Sequence, residues 1–585
     1  MFKEKTKNGL TVRAYRGDAM TLLAFNLDPA KNTPDFVGFS IEFIPPGGVK
    51  KYAQNNMLNF DGVDEARPST EAPFQKFRWL HVPGSRYQAL NETKYGIYRY
   101  FVTPRYWDTI NNKLLAADNA LTVELDIKVD AFDEENIYVS FTRGFSTSQA
   151  YVSRFGNDST IEPPGTALIP DINQVSGTDP RGYKYTFKDQ YEWMGFKARE
   201  RILNLLQEVK DDNKLSIEVF AYDLDEPAVM EALLELAADG RIKMILDNST
   251  GSKDGVETGH GTPGSTETKF YNRFNKVKTG NADIVRGKFS RLQHNKVMIV
   301  KKNNVPVKVL TGATNFTVTG ICVNANHVII FDSPKVAKKY HEVFEASWGP
   351  DKMKTFRSTT MAQKKFRFSP PDLPLTLISY APHEEKFAQE LLDEITEKIE
   401  NAKSSVLFSV MQLTSTTTGS VVPALREIHK DTSKFTYGVT DSVKGVSLYK
   451  PNRKTGLLIN AKSLKGVLPA PFDKEVKIKA HAIHHKFVVI DFNKPGARVY
   501  CGSSNLALGG EKSNGDNLIE IRDPEIVTVF AIEALRLVDH YHFRANQIGA
   551  VENNKPITLK KTNSWTKPYF NKNDIKFLDR NLFCG

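Results

Sequence analysis

Cysteine is scarce in this sequence, and long apolar runs are absent. The 585 residues include three cysteines, Cys322, Cys501 and Cys584, too few for a disulfide framework and typical of a reducing compartment. No run approaches the roughly 18 apolar residues that span a bilayer. The opening MFKEKTKNGLTVRAYRGDAM lacks the apolar core of a signal peptide. These absences predict a soluble, cytoplasmic protein.

The chain is too long for one hydrophobic core, so its length predicts two to four domains of ordinary size. Hydrophobic residues make up 40% of the sequence and charged residues 25%, which is the composition of a folded globular protein. A fully disordered or fibrous chain is therefore excluded.

Excess negative charge is also absent, because the net charge of the chain is +11. The excess positive charge lies in one part of the chain. Residues 1–170 carry 19 basic and 20 acidic side chains, which leaves 60 basic and 48 acidic side chains for residues 171–585. A basic surface attracts a polyanion, either nucleic acid or an anionic membrane face. A lysine-rich surface that only aids solubility is the alternative.

The N-terminal part predicts an antiparallel β-sandwich of immunoglobulin-like type over residues 1–160. Short alternating runs such as LTVELDIKVD and NIYVSFTRGF are separated by Pro, Gly, Asn and Asp. The stretch at 157–182 is rich in Pro, Gly, Ser and Thr, so we expect a linker at 161–183.

Beyond the linker, helical and strand patterns alternate in the same order twice. The first series is FKARERILNLLQEVKDDN, KLSIEVFAYDL, PAVMEALLELAADGR and IKMILD; the second is EEKFAQELLDEITEKIENAK, SSVLFSVMQL, VVPALREIHKD and FTYGVTD. This order predicts two α/β domains with mixed or parallel sheets, at 184–360 and 361–585. It also indicates a duplication.

Each series is followed by the same three polar motifs. They are His-x-Lys opening an apolar strand (His294 and Lys296; His484 and Lys486), Gly-x-x-Asn (Gly312 to Asn315; Gly502 to Asn505), and a short Asn-rich motif before the next strand (324–327; 514–517). One His-x-Lys occurs by chance, whereas two ordered sets of three motifs are specific. We expect the two sets to form one site.

These residue types suit displacement at phosphorus. Histidine is the side chain best poised for nucleophilic and acid–base work near neutral pH. A lysine two residues further along a strand lies on the same face and neutralises the group that the imidazole approaches. The Gly-x-x-Asn turn brings backbone and amide donors to the same anion. One set from each half supplies a nucleophile, an acid and positive charge.

The motifs resemble those of the phospholipase D superfamily, whose pattern is His-x-Lys-x-x-x-x-Asp followed by Gly-Ser-x-Asn, twice per site. The resemblance covers roughly residues 185–535. It implies a bilobal α/β/α fold in which the two histidines meet. It also implies an anionic phosphodiester substrate and a covalent phosphohistidine formed without metal or other cofactor.

The two sets differ from each other in this comparison. The second set is complete with Asp491, whereas Lys301 stands at the equivalent position of the first. We expect the residue that orients each imidazole to be Asn326 in the first half and Asp516 in the second. We also expect Asp491 to be an orienting residue, which supports the site rather than reacts.

A carboxylate behind a ring nitrogen stabilises imidazolium, while an amide orients the ring without favouring charge. With Asn326 behind His294 and Asp516 behind His484, His294 is the expected nucleophile and His484 the general acid, then base. A similar amide and carboxylate asymmetry, with the first Asp missing, is a feature of the tyrosyl-DNA phosphodiesterase branch. That tilts the expected substrate slightly toward nucleic acid.

Other residues near the motifs have ordinary explanations. His481 and His485 share a strand face but lack a third metal ligand, so we expect no metal. His485 is expected in the wall of the site and His481 at its rim. Cys322 and Cys501 are expected to be small buried hydrophobes.

Two segments are candidates for specificity. Residues 249–269 lie between Asp247 and the first His-x-Lys, so they form either a flap over the site or an unstructured insertion. Residues 444–479 carry nine Lys or Arg, including Lys450, Arg453 and Lys454. These three are the expected contacts to substrate phosphate, unless the segment is only a solvated basic loop.

Three functions stay open at this point. The basic half and the asymmetric motifs favour a nucleic-acid phosphodiesterase. The commonest activity of the family favours phospholipid hydrolysis or phosphatidyl transfer, with contact to a membrane surface. Lys301 and Asn326 motivate a third hypothesis, a polyanion-binding protein without turnover. The N-terminal domain is a candidate for recruiting a protein partner, and the oligomeric state is undetermined.

Overall fold

The fold is described from a computed structural model of the chain. It describes residues 2–62, 65–84, 93–144, 148–156, 160–412, 421–442, 445–449, 457–460, 482–552 and 557–585.

Two small antiparallel sheets form the N-terminal part. Their side chains share one apolar core, to which alternate residues such as Leu125 and Ile127 contribute. The alternation predicted for LTVELDIKVD is confirmed, because Val123–Val129 is a strand with every second side chain buried. The immunoglobulin-like sandwich stays a prediction. In spatial order, the first sheet is Phe2–Lys7, Leu10–Arg16, Thr21–Leu27 and Arg78–His81; the second is Lys113–Leu114, Gly96–Asp108, Phe36–Ile44 and Tyr52–Ala53, with Val123–Val129 also paired to Gly96–Asp108.

A mixed sheet of eight strands follows. Its three strands at one edge are parallel, and the other neighbours are antiparallel. In spatial order the strands are Phe132–Glu134, Ile137–Phe141, His327–Phe331, Val305–Gly312, Val297–Lys302, Leu215–Ala221, Ile242–Asp247 and Asp283–Gly287. Its helices are Phe187–Asp211, Pro227–Ala238, Thr266–Val277 and Pro334–Ala346. The first helix begins at a capping box of Thr186 and Asp189 and is interrupted at Phe196.

A second mixed sheet has nine described strands, and seven of them repeat the order of the first sheet. In spatial order they are Phe366–Phe368, Thr376–Ala381, Asp516–Ile521, Arg498–Gly502, Lys486–Ile490, Ser405–Gln412, Phe435–Ser442, Gly445–Tyr449 and Leu457–Asn460. Its helices are Glu385–Glu400, Val422–Glu427, Leu508–Ser513 and Pro524–Glu552. The helices and strands expected from the two repeated series are all present. The bilobal arrangement stays a prediction.

One strand expected in the N-terminal domain belongs elsewhere. Ile137–Phe141, from NIYVSFTRGF, pairs with His327–Phe331 of the eight-stranded sheet. Its place matches that of Thr376–Ala381 in the nine-stranded sheet. Alternation predicts a strand but carries no information about its partner, which explains the error. The domain boundaries at 160, 183 and 360 stay predictions.

The C-terminal residues return to the N-terminal sheets, although the sequence suggested that they belong with the second α/β domain. Tyr15 donates to the Phe583 carbonyl at 2.5 Å, and Arg78 bonds both Asp579 and Asp539. Trp565 packs against the N-terminal core. The shorter elements are Ser148–Phe155, Pro350–Thr355, Lys567–Phe570 and Ile575–Cys584 among helices, and the strand pairs Asn55–Asn56 with Arg67–Pro68, Val175–Thr178 with Lys184–Thr186, and Gly251–Lys253 with Val256–Thr258.

Within the described ranges, no helix combines the length and the apolar character needed to cross a lipid bilayer.

Candidate functional site

Two isolated β-bridges connect the eight-stranded and nine-stranded sheets near the His-x-Lys motifs. Leu292 bridges to Asn514, and Ala325 bridges to Ile483. The Gly515 amide donates to the Leu292 carbonyl at 2.8 Å, and the His484 amide donates to the Ala325 carbonyl at 3.0 Å. Each histidine segment therefore lies beside the Asn-rich motif of the other half.

His294 is oriented by a carboxylate from the second half. Its Nδ1 lies 2.7 Å from Oδ1 of Asp516, and both side chains are buried. Ser503 donates to the same Asp516 oxygen at 2.7 Å. Because an ionised carboxylate only accepts, Nδ1 of His294 carries the proton and its Nε2 keeps a lone pair.

His484 is oriented by an amide from the first half. Its Nδ1 lies 3.3 Å from Oδ1 of Asn326, whose Nδ2 donates to the Gly320 carbonyl. Nζ of Lys486 lies 3.3 and 3.4 Å from the two ring nitrogens of His484. The residue that faces Nδ1 of His484 in this pairing is therefore an amide.

The expected pairing of orienting residues was therefore wrong. Asp516 lies behind His294 and Asn326 behind His484, the reverse of the prediction. Comparing the two halves of a sequence shows which positions are equivalent. It does not show that each orienting residue crosses to the other half, because that depends on the backbone bridges between the sheets.

Burial controls the charges at the site. It lowers the pKa of His294 to about 4, and Asp516 opposes this only in part. Burial also lowers the pKa of Lys296 to about 7 and that of Lys486 well below its usual value. For Asp516, burial favours a higher pKa, but His294 and other partners outweigh it and lower the pKa. At neutral pH the pair is a neutral imidazole donating to an ionised carboxylate.

The lysine and asparagine of the two sets have different partners. Lys296 donates to the His294 carbonyl and lies 4.8 Å from the ring centroid of Tyr222. Asn315 donates from Nδ2 to Asp223 at 2.7 Å. Asn505 is half-buried and makes no side-chain hydrogen bond within the described part of the chain. The two amides are therefore not equivalent.

The glycines of the Gly-x-x-Asn motifs allow close backbone approach. Gly312 has φ +142° and Gly502 has φ +120°. A Cβ atom would lie 2.4 Å from the His327 carbonyl oxygen at Gly312, and 2.5 Å from that of Asn517 at Gly502. A side chain at either position would push apart the strands that carry the site.

Asp491 does not orient a histidine, contrary to our expectation. It accepts the backbone amides of Lys403 and Ser404 at 2.6 and 2.8 Å. The strand Lys486–Ile490 separates it from His484, a span on the order of 16 Å for five residues. Spacing along the motif placed it in the site, but an extended strand carries it to the far end.

Lys301, which replaces the equivalent Asp, lies at the same remote end of its own strand. It bonds the buried carboxylate of Glu218 at 2.5 Å. His341 bonds the other oxygen of Glu218 at 2.7 Å. The substitution therefore has its own partner and does not contact the histidines.

Some of the other residues expected near the motifs are buried, and some fall outside the described residues. His485 is buried, as expected of a wall residue, with Nε2 3.0 Å from Glu533 and Nδ1 3.2 Å from His327. Cys322 and Cys501 are buried, and burial raises the pKa of both thiols. The predicted contacts Lys450, Arg453 and Lys454, together with His481, fall outside the described residues.

Sequence reasoning missed the aspartates that anchor the His-x-Lys segments. Asp247 accepts the Gln293 amide at 2.7 Å, and Asp441 accepts the Ala482 amide at 3.0 Å. Both end the second strand of their series, as IKMILD and FTYGVTD. The repeated terminal Asp was the available signal. Ser503 was also missed. The first motif has Ala313 at the equivalent position, so a comparison of the two motifs does not single out the serine.

Two clusters in the described ranges have the side-chain types and spacing to hold a metal ion. They are Glu218, His341 and Glu345, and Asp223, His260 and Glu267. Neither includes His294 or His484. The second lies beside Asn315, through Asp223.

Comparisons with known proteins point to one family. A family model described as the PLD-like domain of cardiolipin synthase matches residues 203–348 and 395–537. A phospholipase D of Rickettsia bellii is 27% identical over 218 residues, which cover 35% of this chain and 89% of that protein. One from Rickettsia conorii is 28% identical over 131 residues, covering 22% of this chain and 56% of that protein.

Among solved structures, phosphatidylserine synthase of Haemophilus influenzae aligns with a TM-score of 0.39 and 10% identity, over 66% of this chain and 90% of that chain. Each of the two regions matched by the family model contains one His-Lys-Asn set. The chain belongs to the phospholipase D superfamily and is an enzyme of the phosphodiesterase class.

Proposed function

We propose that the chain cleaves phosphodiesters through a covalent phosphohistidine on His294, without a metal ion. The observation that carries this proposal is the 2.7 Å bond between Nδ1 of His294 and Asp516. It leaves Nε2 as the nucleophilic nitrogen. It also supplies a negative charge that stabilises the ring when Nε2 becomes bonded to phosphorus.

The proposed reaction has two displacements. In the first, Nε2 of His294 bonds to phosphorus, the bond to the leaving oxygen breaks, and His484 gives that oxygen a proton. In the second, water attacks phosphorus, His484 takes its proton, and the bond to His294 breaks. Enzyme is regenerated, and one water is consumed for each diester cleaved.

His294 remains the proposed nucleophile and His484 the proposed general acid and base, as the sequence suggested. The physical reason differs from the one first given. Burial, rather than an amide neighbour, keeps His294 neutral. The carboxylate of Asp516 then strengthens it as a nucleophile. Asn326 orients the ring of His484 through an amide, and His484 gives its proton to the leaving group. Lys296, Lys486 and the two motif asparagines would bind the non-bridging oxygens.

We favour nucleic acid as the substrate because the excess positive charge lies in residues 171–585. Phospholipid is the second candidate, supported by the two relatives named phospholipase D. In that case the N-terminal part is proposed to contact a membrane surface, and in either case it is a candidate for binding a protein partner. We further propose two lobes after an immunoglobulin-like sandwich, and a cytoplasmic location.

The testing experiment compares wild type with His294→Ala, in EDTA, on labelled single- and double-stranded nucleic acid and on mixed phospholipid vesicles. Cleavage that survives chelation and is lost in the variant supports the mechanism and identifies the substrate class. His341→Ala removes another carboxylate-bonded histidine, outside the site, and is the matched control. Turnover of neither substrate, with binding unchanged in His294→Ala, would favour the polyanion-binding protein.

The pH profile of kcat/KM, which reports the free enzyme, should be bell-shaped. His294 must be neutral, so activity rises as pH increases through about 4. Lys296 must be charged, so activity falls as pH increases through about 7. In Lys296→Arg the cation persists, and the alkaline limb should move to higher pH. If Lys296→Arg leaves the alkaline limb where it is, the limb reports the titration of a group other than Lys296.

A further inference from the structure

A third histidine reaches the site from the segment that was expected to be a flap or an unstructured insertion. Residues 249–265 follow the strand that ends at Asp247 and contain a short hairpin. Nδ1 of His260 lies 2.8 Å from Oδ2 of Asp247, and Nε2 lies 2.5 Å from Oδ1 of Asp223. One imidazole therefore joins two carboxylates.

Asp223 connects this histidine to a motif asparagine. Its Oδ2 accepts the Asn315 amide at 2.7 Å, while its Oδ1 faces His260. The ring centroid of Tyr222 lies 4.7 Å from the ring centroid of His260 and 4.8 Å from the ring centroid of His294. His260 is thus linked both to Asn315 and to the wall beside the proposed nucleophile.

The partners of His260 favour its charged form. Burial opposes a charge there, but the hydrogen bonds from Asp223 and Asp247 outweigh it and raise the pKa of His260 to about 10. Glu267, from the following helix, acts in the same direction. An imidazolium has two N–H donors, which matches the two carboxylates that face it.

Asp223 alone would be unfavourable in a site for phosphodiesters, because its negative charge repels the substrate. The imidazolium of His260 offsets part of that charge, because it is shared between Asp223 and Asp247. The carboxylate also determines how the Asn315 amide is turned. Because one N–H of Asn315 is held by Asp223, the other N–H remains on the nitrogen side for a non-bridging oxygen. Turned the other way, the amide would present its oxygen to the phosphate.

We propose that His260 is a positioning residue, which holds Asp223 in place, offsets part of its charge, and through it fixes the Asn315 amide with a donor toward the substrate phosphate. This inference rests on the proposed function, since it assigns Asn315 to phosphate binding. It also gives residues 249–265 a defined contribution, because they carry the residue that completes the first His-Lys-Asn set.

The kinetic test uses His260→Ala with bis(p-nitrophenyl) phosphate in EDTA. We expect kcat to fall by about 10- to 100-fold, as for other residues that orient a reacting group. Added imidazole should restore part of the loss, because His260 is partly exposed. His260→Ala should add little to Asp223→Ala, since both break one chain of contacts. His341→Ala, treated with the same imidazole, is the matched control.

Independent losses that multiply, or no response to imidazole, would overturn the proposal while leaving the mechanism at His294 intact. Activity that is lost in EDTA and restored by an added divalent cation would assign Asp223, His260 and Glu267 to a metal site. That result would also overturn the proposal.

A second measurement does not depend on turnover. In ¹⁵N spectra of the histidine rings near pH 8, well above the ordinary histidine pKa of about 6.5, both nitrogens of His260 should remain protonated. The assignment comes from the signal that disappears in His260→Gln. Amide hydrogen exchange over 249–263 should also be faster in that variant. A neutral His260 at this pH would overturn the inference even if no substrate is found.

Discussion

Replacement of His484 by alanine should stop the reaction after the first displacement and leave the substrate's phosphoryl group on His294. The first step needs an acid only when the leaving group is poor. With bis(p-nitrophenyl) phosphate, p-nitrophenolate departs without a proton, so Nε2 of His294 still attacks. The second step needs a base for water, which His484→Ala lacks. General acid–base groups contribute about 10²–10⁴-fold, and steady turnover should fall by that order.

The measurement is a burst of about one p-nitrophenolate per enzyme, followed by almost no further release. Intact-protein mass should increase by the mass of the mono-p-nitrophenyl phosphoryl group, and peptide mapping should place it on His294. A phosphorus–nitrogen bond is labile in acid and stable in alkali, which distinguishes it from a serine or threonine ester.

The matched control is the pair of substitutions His294→Ala and His484→Ala together, which removes the nucleophile and should give neither burst nor added mass. A burst with the label on His484 would reverse the two roles. Steady turnover by His484→Ala at a wild-type rate would exclude the two-step mechanism as written.

Asp516→Asn should cause the second large loss, with kcat reduced by roughly 10³- to 10⁴-fold, as expected when a carboxylate that fixes a histidine tautomer becomes an amide. The amide can donate to Nδ1 of His294 and so move the ring proton to Nε2, the nitrogen that must attack. It also removes the negative charge that stabilises the phosphohistidine. Ser503, which bonds the same carboxylate, keeps the new side chain in place.

Asn326→Asp is the comparison, because it changes an amide to a carboxylate behind the other histidine. It should raise the pKa of His484 and move the pH dependence of kcat, with a smaller loss of rate than Asp516→Asn. Equal losses in the two variants, or an Asp516→Asn enzyme within a few-fold of wild type, would contradict the crossed assignment of orienting residues.

Elements and motifs were predictable because they depend on local periodicity. Strands such as Leu215–Ala221 and helices such as Pro227–Ala238 follow from apolar spacing within one segment. The repeated motifs were visible for the same reason. Ile137–Phe141 was assigned to the wrong sheet because alternation does not name a partner strand.

The site was predictable in its residue types and not in its connections. His294, Lys296, His484 and Lys486 were identified from two short repeats. Asp491 was misplaced because motif spacing does not say that a five-residue strand carries the side chain to the opposite edge. His260 had no signal of its own, since a single histidine in a Gly- and Thr-rich segment is unremarkable until folding places it between two carboxylates.

The sequence by itself determined the duplicated order of elements, the two His-Lys-Asn sets and the family, because these are patterns of residue type along the chain. Only the tertiary structure decided which half orients which histidine. That choice is made by the backbone bridges from Leu292 to Asn514 and from Ala325 to Ile483, which join residues far apart in sequence. Burial at this junction also decided the charges, because the cost of desolvation depends on what surrounds a side chain rather than on its neighbours along the chain.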